Sequence, residues 1–371
     1  MEEQMREEEL DNPVPATQET LKKARQDFTK LGLWLVFATI VFNGMQILAK
    51  YVWSNWIIPR FTTEELSKGI FAYKCLKYWI VLLPTYLIAV PLILCFGKKL
   101  LPETVSGTVL EKRGVKPKQF AAALACTFGI AITCNIVGLI ITFSLGKNMG
   151  REVENVSVDL IASMDLWTSI FLTSIGAPIC EELMFRKMLV TRTRKYGEGV
   201  AILLSGLSFG LFHGNFNQFA YAFGIGMFFA YVFLKTGNIK ITIALHACMN
   251  AFTSVVLAGL MNKLDVNKLG ELAQKALTGG QESEAFAAYF QFLAENSVLI
   301  VAIGLCVLFE YGFALFGLVF LIVNLKKLRV NAGEVTIPKG KRFFTIFCNV
   351  GMILFFAVWI FMIVAQIMGW H

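Results

Sequence analysis

The sequence predicts an all-α protein, a polytopic transmembrane helical bundle of about eight to nine spans with a cytoplasmic N-terminus. Three observations carry this prediction. Apolar residues fill 56% of the 371 positions and charged residues 16%, with a mean hydropathy of +0.62. The apolar residues come in uninterrupted blocks rather than at a helical or strand period. Lysine and arginine are divided unequally between alternate connecting segments, as the positive-inside rule requires.

A crossing helix needs about 20 predominantly apolar residues. Blocks of that kind lie near 31–49, 78–97, 119–145, 166–185, 199–213, 216–234, 241–261, 297–325 and 343–368. With the N-terminus inside, the inner segments are 1–30, 98–118, 186–198, 235–240 and 326–342. They hold 24 of the 34 basic residues. The net charge of +8 is therefore mainly a topology signal, and nothing in it calls for nucleic acid. Lys112, Arg113, Lys116 and Lys118 are expected against anionic headgroups of the lipid bilayer.

Residues 1–30 are charged, carry Pro13 and Pro15, and lack an apolar core, so a cytoplasmic tail and an uncleaved first span are expected. The eight cysteines fall singly with no CxxC pair, the pattern of apolar fillers rather than disulfides or thiolate ligands. Residues 31–164 then form the N-terminal transmembrane helices, 165–260 a central core, and 297–371 the C-terminal transmembrane helices. Between the last two, 262–296 reads as an extracytoplasmic amphipathic segment broken at Gly279–Gly280. Its apolar face is expected to hold Ala285, Phe286, Tyr289, Phe290 and Leu293. Asn155-Val156-Ser157 is a glycosylation sequon, relevant only in a secretory pathway.

The central core holds residues that hydrocarbon does not favour. An intramembrane acid costs at least a few kcal/mol and reads as functional by default. Glu181 and Glu182 adjoin the fourth block. Glu182 and Arg186 stand at i, i+4 with the acid first, the favourable order for an ion pair. Glu181 lies about 100° further round, without a local partner, and is the candidate general base. Of three histidines in the chain, His213 and His246 lie within or beside apolar blocks, and Asn250 shares a helical face with His246. A carboxylate, two imidazoles and a carboxamide suffice to activate water and stabilise an oxyanion. Glu181, His213 and His246 equally make a three-ligand N/O set for zinc (Zn2+) with an open position. No HExxH helix is present, which favours water activated by a glutamate. Glu310, in the eighth block, is expected as a neutral acid hydrogen-bonded within the bundle. Asn43, Gln46, Asn135 and Asn349 are candidate contacts between helices.

The ordered triple Glu181-Glu182-x-x-x-Arg186, Phe209-x-x-x-His213 and His246-x-x-x-Asn250 resembles the three motifs of the CPBP family. These are the CAAX-protease and bacteriocin-processing proteins, also called Abi, of intramembrane endopeptidases. Pro178, Phe185 and Thr236-Gly237 agree in the flanks, and the resemblance covers about 165–260. It implies that Glu181 and His213 activate the attacking water, and that His246 and Asn250 form the oxyanion hole. Glu182, Arg186 and Phe209 would support them. The implied substrate is a membrane-bound peptide or protein, either a lipidated CAAX-type C-terminus or a leader peptide. The implied setting is a bacterial plasma membrane crossed several times. A non-catalytic partner, in bacteriocin immunity or sensor-kinase modulation, and a transporter are the alternative functions.

The block boundaries raise a geometric conflict. Glu181 and His246 fall toward the inner face, whereas His213 lies about 21 Å from a helix start at 199, at 1.5 Å per residue. The residues meet if the fourth helix runs on to about Arg192–Lys195, or if the fifth starts later or tilts.

Overall fold

The computed structural model describes residues 17–68, 70–102, 110–151, 153, 164–279 and 284–370. The sequon at 155–157 lies outside them. Every predicted block is helical. α1 is Gln18–Arg60, α2 Leu76–Leu100 and α3 Pro117–Met149. α4 is a continuous run of α, π and 3-10 turns over 166–196, and α5 is Glu198–Leu211. α6 is Phe216–Thr236 and α7 Ile239–Met261. α8 (Val266–Gly279) and α9 (Glu284–Glu295) precede α10 (Ser297–Lys327). The short α11 (Lys339–Ile346) leads into α12 (Val350–Met368). Among the described residues seven helices are long and apolar enough to cross a membrane: α1, α2, α3, α6, α7, α10 and α12. The protein is a multi-pass integral membrane protein.

Three of the nine blocks differ from expectation, the last being interrupted at 347–349 between α11 and α12. α4 does not stop near 185 but continues to Tyr196. α5, with 14 residues, is about 21 Å long and falls short of a hydrocarbon core of about 30 Å. The two are joined at Gly197, whose φ of +114° is a conformation that side chains other than glycine's rarely adopt. Asn215 caps α6, its side chain accepting from the Gln218 N–H, and α6 ends at Gly237 with φ +58°. Asn238 then caps α7 through the Lys240 N–H.

Trp34, Phe28, Phe185, Phe209, Phe229, Phe233 and Phe355 are fully buried at the centre of the bundle. α10 is the opposite case, with only 6% of its apolar window buried, so most of its surface is left for lipid. It meets α3 in its second half, where a Cβ on Gly317 would collide with the Ala125 carbonyl. Close backbone approach at small residues is the usual way helices associate in lipid.

Polar contacts cluster at the ends of the bundle. At one end Asp27 accepts from Lys195 Nζ at 2.6 Å and from the Tyr196 hydroxyl at 2.7 Å. Glu198 pairs with Lys235 at 2.6 Å and accepts from the Asn331 backbone N–H. At the other end Arg151 donates to the Ile367 carbonyl.

Smaller expectations are corrected. Asn43 bonds the Thr39 carbonyl of its own helix, Asn349 caps α12, and Asn135 lines a cavity. In α9 the buried aromatic is Phe292, while Phe290 is exposed, so the inward face is rotated from the expected one. Gly280 lies outside the described residues. Cys95, Cys126, Cys134, Cys180, Cys248, Cys306 and Cys348 are free thiols, consistent with apolar fillers.

Candidate active site

The junction at Gly197 sets the depth of the site. Glu181 precedes Gly197 by 16 residues and His213 follows it by 16, so two antiparallel helices bring them to one level, about 24 Å from the turn. The extension of α4 past residue 185 thus removes the depth conflict. π-helical turns flank Glu181 and Glu182, at Ser169–Gly176 and Leu183–Val190. Such segments often occur at functional sites.

The two glutamates occupy different environments. Glu182 is fully buried, with Oε2 3.2 Å from Arg186 Nε and Oε1 3.2 Å from His246 Nδ1. Arg186 is equally buried. Its guanidinium lies 4.5 Å from the Phe209 ring centroid and 5.4 Å from that of Phe229, and Nη2 is 3.5 Å from the Gly226 carbonyl. Phe209 also meets His213 and His246 edge-on, at 4.9 and 5.8 Å between centroids. Glu181 keeps 30% of its side chain exposed, with Oε2 3.7 Å from His246 Nε2, beyond hydrogen-bonding distance.

Donor and acceptor rules fix the histidines. His213 Nδ1 is 2.8 Å from the Phe209 carbonyl, which only accepts, so Nδ1 carries the proton. A neutral His213 then has its lone pair on Nε2. His246 Nδ1 likewise donates to Glu182, which only accepts, and its Nε2 is directed toward Glu181. Asn250 donates one amide hydrogen to the Thr173 carbonyl at 2.9 Å and has a second in reserve. Ser254 holds this corner, with its hydroxyl 3.1 Å from Thr173 Oγ1 and donating to the Asn250 carbonyl at 2.6 Å.

Glu181, His213, His246 and Asn250 line one cavity of about 430 Å3, bordered by α2, α3, α4, α5, α6, α7 and α10. Glu182 and Arg186 are sealed behind it. The sequence reading missed Tyr86, Asn217, Gln218 and Tyr221, which share the lining. Gln218 and Tyr221 were open to detection, because they follow the helix cap after His213 at i, i+3 spacing. Tyr86 reaches the site from a separate helix, with no spacing to reveal it. Glu310 also lines the cavity, and no hydrogen bond to it occurs among the described residues, contrary to the bonded state expected.

The zinc alternative has a geometric requirement that can be examined. Among the described residues no group of three His, Cys, Asp or Glu side chains is arranged to hold a metal ion. Both histidines hold Nδ1–H in a hydrogen bond and turn Nε2 to the cavity, an orientation that serves a base and a metal ligand alike.

A helical membrane bundle with buried carboxylate, imidazole and carboxamide groups on one cavity defines a class, and comparison with known proteins narrows it. Residues 163–252 match the family described as Type II CAAX prenyl endopeptidase Rce1-like. The chain is 25% identical over 253 residues to the membrane-embedded CAAX protease MroQ of Staphylococcus aureus (strain USA300), covering 65% of this chain and 95% of that protein. It is 31% identical over 140 residues to YdiL of Bacillus subtilis (strain 168), covering 36% of this chain and 54% of that one. No solved structure matches. These matches support the resemblance to the CPBP family over the central core, residues 163–252.

Proposed function

We propose that the protein is an intramembrane endopeptidase that hydrolyses a peptide bond of a membrane-bound peptide or protein with water activated by Glu181 and His213. One observation carries the reading. Of two adjacent glutamates, Glu182 is consumed by Arg186 and His246, while Glu181 is left accessible on a cavity shared with His213, His246 and Asn250. The similarity to MroQ supports the same reaction class.

In this mechanism the water sits between the Glu181 carboxylate and His213 Nε2. As its oxygen bonds to the peptide carbonyl carbon, one water proton passes to Glu181. The carbonyl π electrons move onto oxygen, and the second amide hydrogen of Asn250 and a proton on His246 Nε2 stabilise that charge. When the intermediate collapses, the C–N bond breaks and Glu181 returns its proton to the leaving nitrogen. The products are a carboxyl end and an amine end, and the carboxylate is restored. Glu182 and Arg186 position His246 and do not touch the substrate. Among the described residues no three ligands are grouped for a metal ion, which favours this route over a metal-bound water, so chelation should leave cleavage intact.

The test is cleavage of a membrane-associated peptide library by the purified protein in lipid nanodiscs. Wild type should cleave, and Glu181→Gln and His213→Ala should each lose at least a hundredfold with melting unchanged. A wild type that cleaves no peptide, with both variants still losing the cellular phenotype, would indicate a binding partner instead. Variants as active as wild type would remove Glu181 and His213 from the chemistry.

A further inference from the structure

The geometry points to Tyr221 as a further oxyanion donor in this cavity, an inference that rests on the peptidase reading above. It follows from the direction of a hydrogen-bonded chain anchored at its Asn215 end by backbone groups. Asn215 Oδ1 accepts the Gln218 backbone N–H at 2.9 Å, so the other branch of that carboxamide is its NH2. That NH2 donates to the His213 carbonyl at 3.1 Å and to Gln218 Oε1 at 2.5 Å. Gln218 is thereby oriented in turn, and its Nε2 donates to the Tyr221 oxygen at 3.0 Å. The Tyr221 oxygen is an acceptor in this chain, and its own proton remains to be donated.

That proton has no acceptor among the described residues, yet the phenol lines the cavity within electrostatic reach of the Glu181 carboxylate. A polarised O–H beside the water-activating group is suited to an oxygen that gains charge as the water attacks. Accepting from Gln218 also strengthens the phenol as a donor, since hydrogen bonds in a chain polarise one another. Asn250 has only one free amide hydrogen, because the Thr173 carbonyl takes the other. Tyr221 supplies a second neutral donor. Gln218 touches neither water nor peptide and is a positioning residue for Tyr221.

The test measures kcat and KM in nanodiscs on a peptide that the wild type cleaves. Tyr221→Phe removes one oxygen atom and keeps the ring, and it should lower kcat roughly ten- to hundredfold with KM within about twofold. Gln218→Glu places an acceptor where the donor was, drawing the Tyr221 proton away from the cavity. It should match Tyr221→Phe while leaving the tyrosine in place. The double variant should be no slower than Tyr221→Phe alone, because both changes remove the same donor. Unchanged kcat in Tyr221→Phe overturns the inference, as does a loss confined to KM, which would mark ground-state binding. A double variant slower than Tyr221→Phe would show that Gln218→Glu acts through its charge, and would overturn the relay. If the wild type cleaves nothing, the peptidase reading falls and takes this inference with it. If the wild type cleaves and Tyr221→Phe matches it, this inference alone falls.

Discussion

Arg186→Met should be among the most damaging single substitutions in the protein, although the residue touches no substrate. The guanidinium is fully buried and stands 3.2 Å from an equally buried carboxylate. Methionine keeps most of the apolar volume but leaves Glu182 ionised with only His246 Nδ1 and the Thr242 hydroxyl close by. Removing one partner of a buried pair costs about 3–5 kcal/mol, chiefly because a charge is stranded. Loss of the contacts with the Phe209 and Phe229 rings pushes the cost toward the upper end. At about 1.4 kcal/mol per decade, the folded-to-unfolded ratio falls roughly two to three and a half decades. Reversible unfolding in mixed detergent–SDS micelles, followed by far-UV circular dichroism, reads this directly. Adding Glu182→Gln removes the stranded charge and should recover most of the loss, although Glu182→Gln alone is itself destabilising. A cost below about 1 kcal/mol for Arg186→Met, or a double variant as damaged as the sum of the singles, would refute the buried-pair argument.

Other consequences follow from the same geometry. Glu181→Ala should leave the unfolding transition within about 0.5 kcal/mol of wild type, since its side chain is partly exposed and unpaired by hydrogen bonds, while Glu182→Ala shifts it by several. Gly317→Leu should cost about 1–3 kcal/mol or more and separate α10 from α3, detectable as lower melting temperature and as lost crosslinking between cysteines placed on the two helices. Phe209→Leu should cost about 3 kcal/mol or less and loosen Arg186, His213 and His246 together, so that kcat falls while KM holds. The described cavity lining carries Glu181 and Glu310 but no lysine or arginine, so peptides with a basic residue near the cleaved bond should react faster than acidic ones, and Glu310→Gln should narrow the difference; equal rates in wild type would count against it.

The helical membrane architecture was legible because hydrocarbon demands long apolar blocks, and α1, α3, α7 and α10 declare themselves that way. The end of α4 was not. Arg186 and Lys187 look like a membrane boundary in any hydropathy profile, but Arg186 is neutralised by Glu182 one turn earlier and stays in the interior. Hydropathy counts residues singly and cannot register a pair. Glu310 was misjudged for a related reason. The sequence shows that its neighbours are apolar but not that α10 meets α3 chiefly near Gly317, beyond it, leaving the carboxylate to face a cavity. Tyr86 comes from α2, and nothing in a one-dimensional spacing joins it to Glu181.

The neighbouring glutamates show how far the residue pattern could go. Spacing alone assigned Glu182 to Arg186 and left Glu181 over, since i, i+4 partners meet on a helix and residues one apart diverge by about 100°. The structure adds what spacing cannot contain, a third partner from α7. His246 stands between both carboxylates, 3.2 Å from Glu182 and 3.7 Å from Glu181. Glu182 therefore holds the Nδ1 proton of the ring that faces Glu181. The buried pair and the accessible acid act through one imidazole, so stability and chemistry cannot be varied independently here. Substitutions at Glu182 should change the pH profile of cleavage as well as the fold, whereas those at Gly317 should change the fold alone. A Glu182→Gln protein refolded in the Arg186→Met background, with a wild-type pH profile, would break that link.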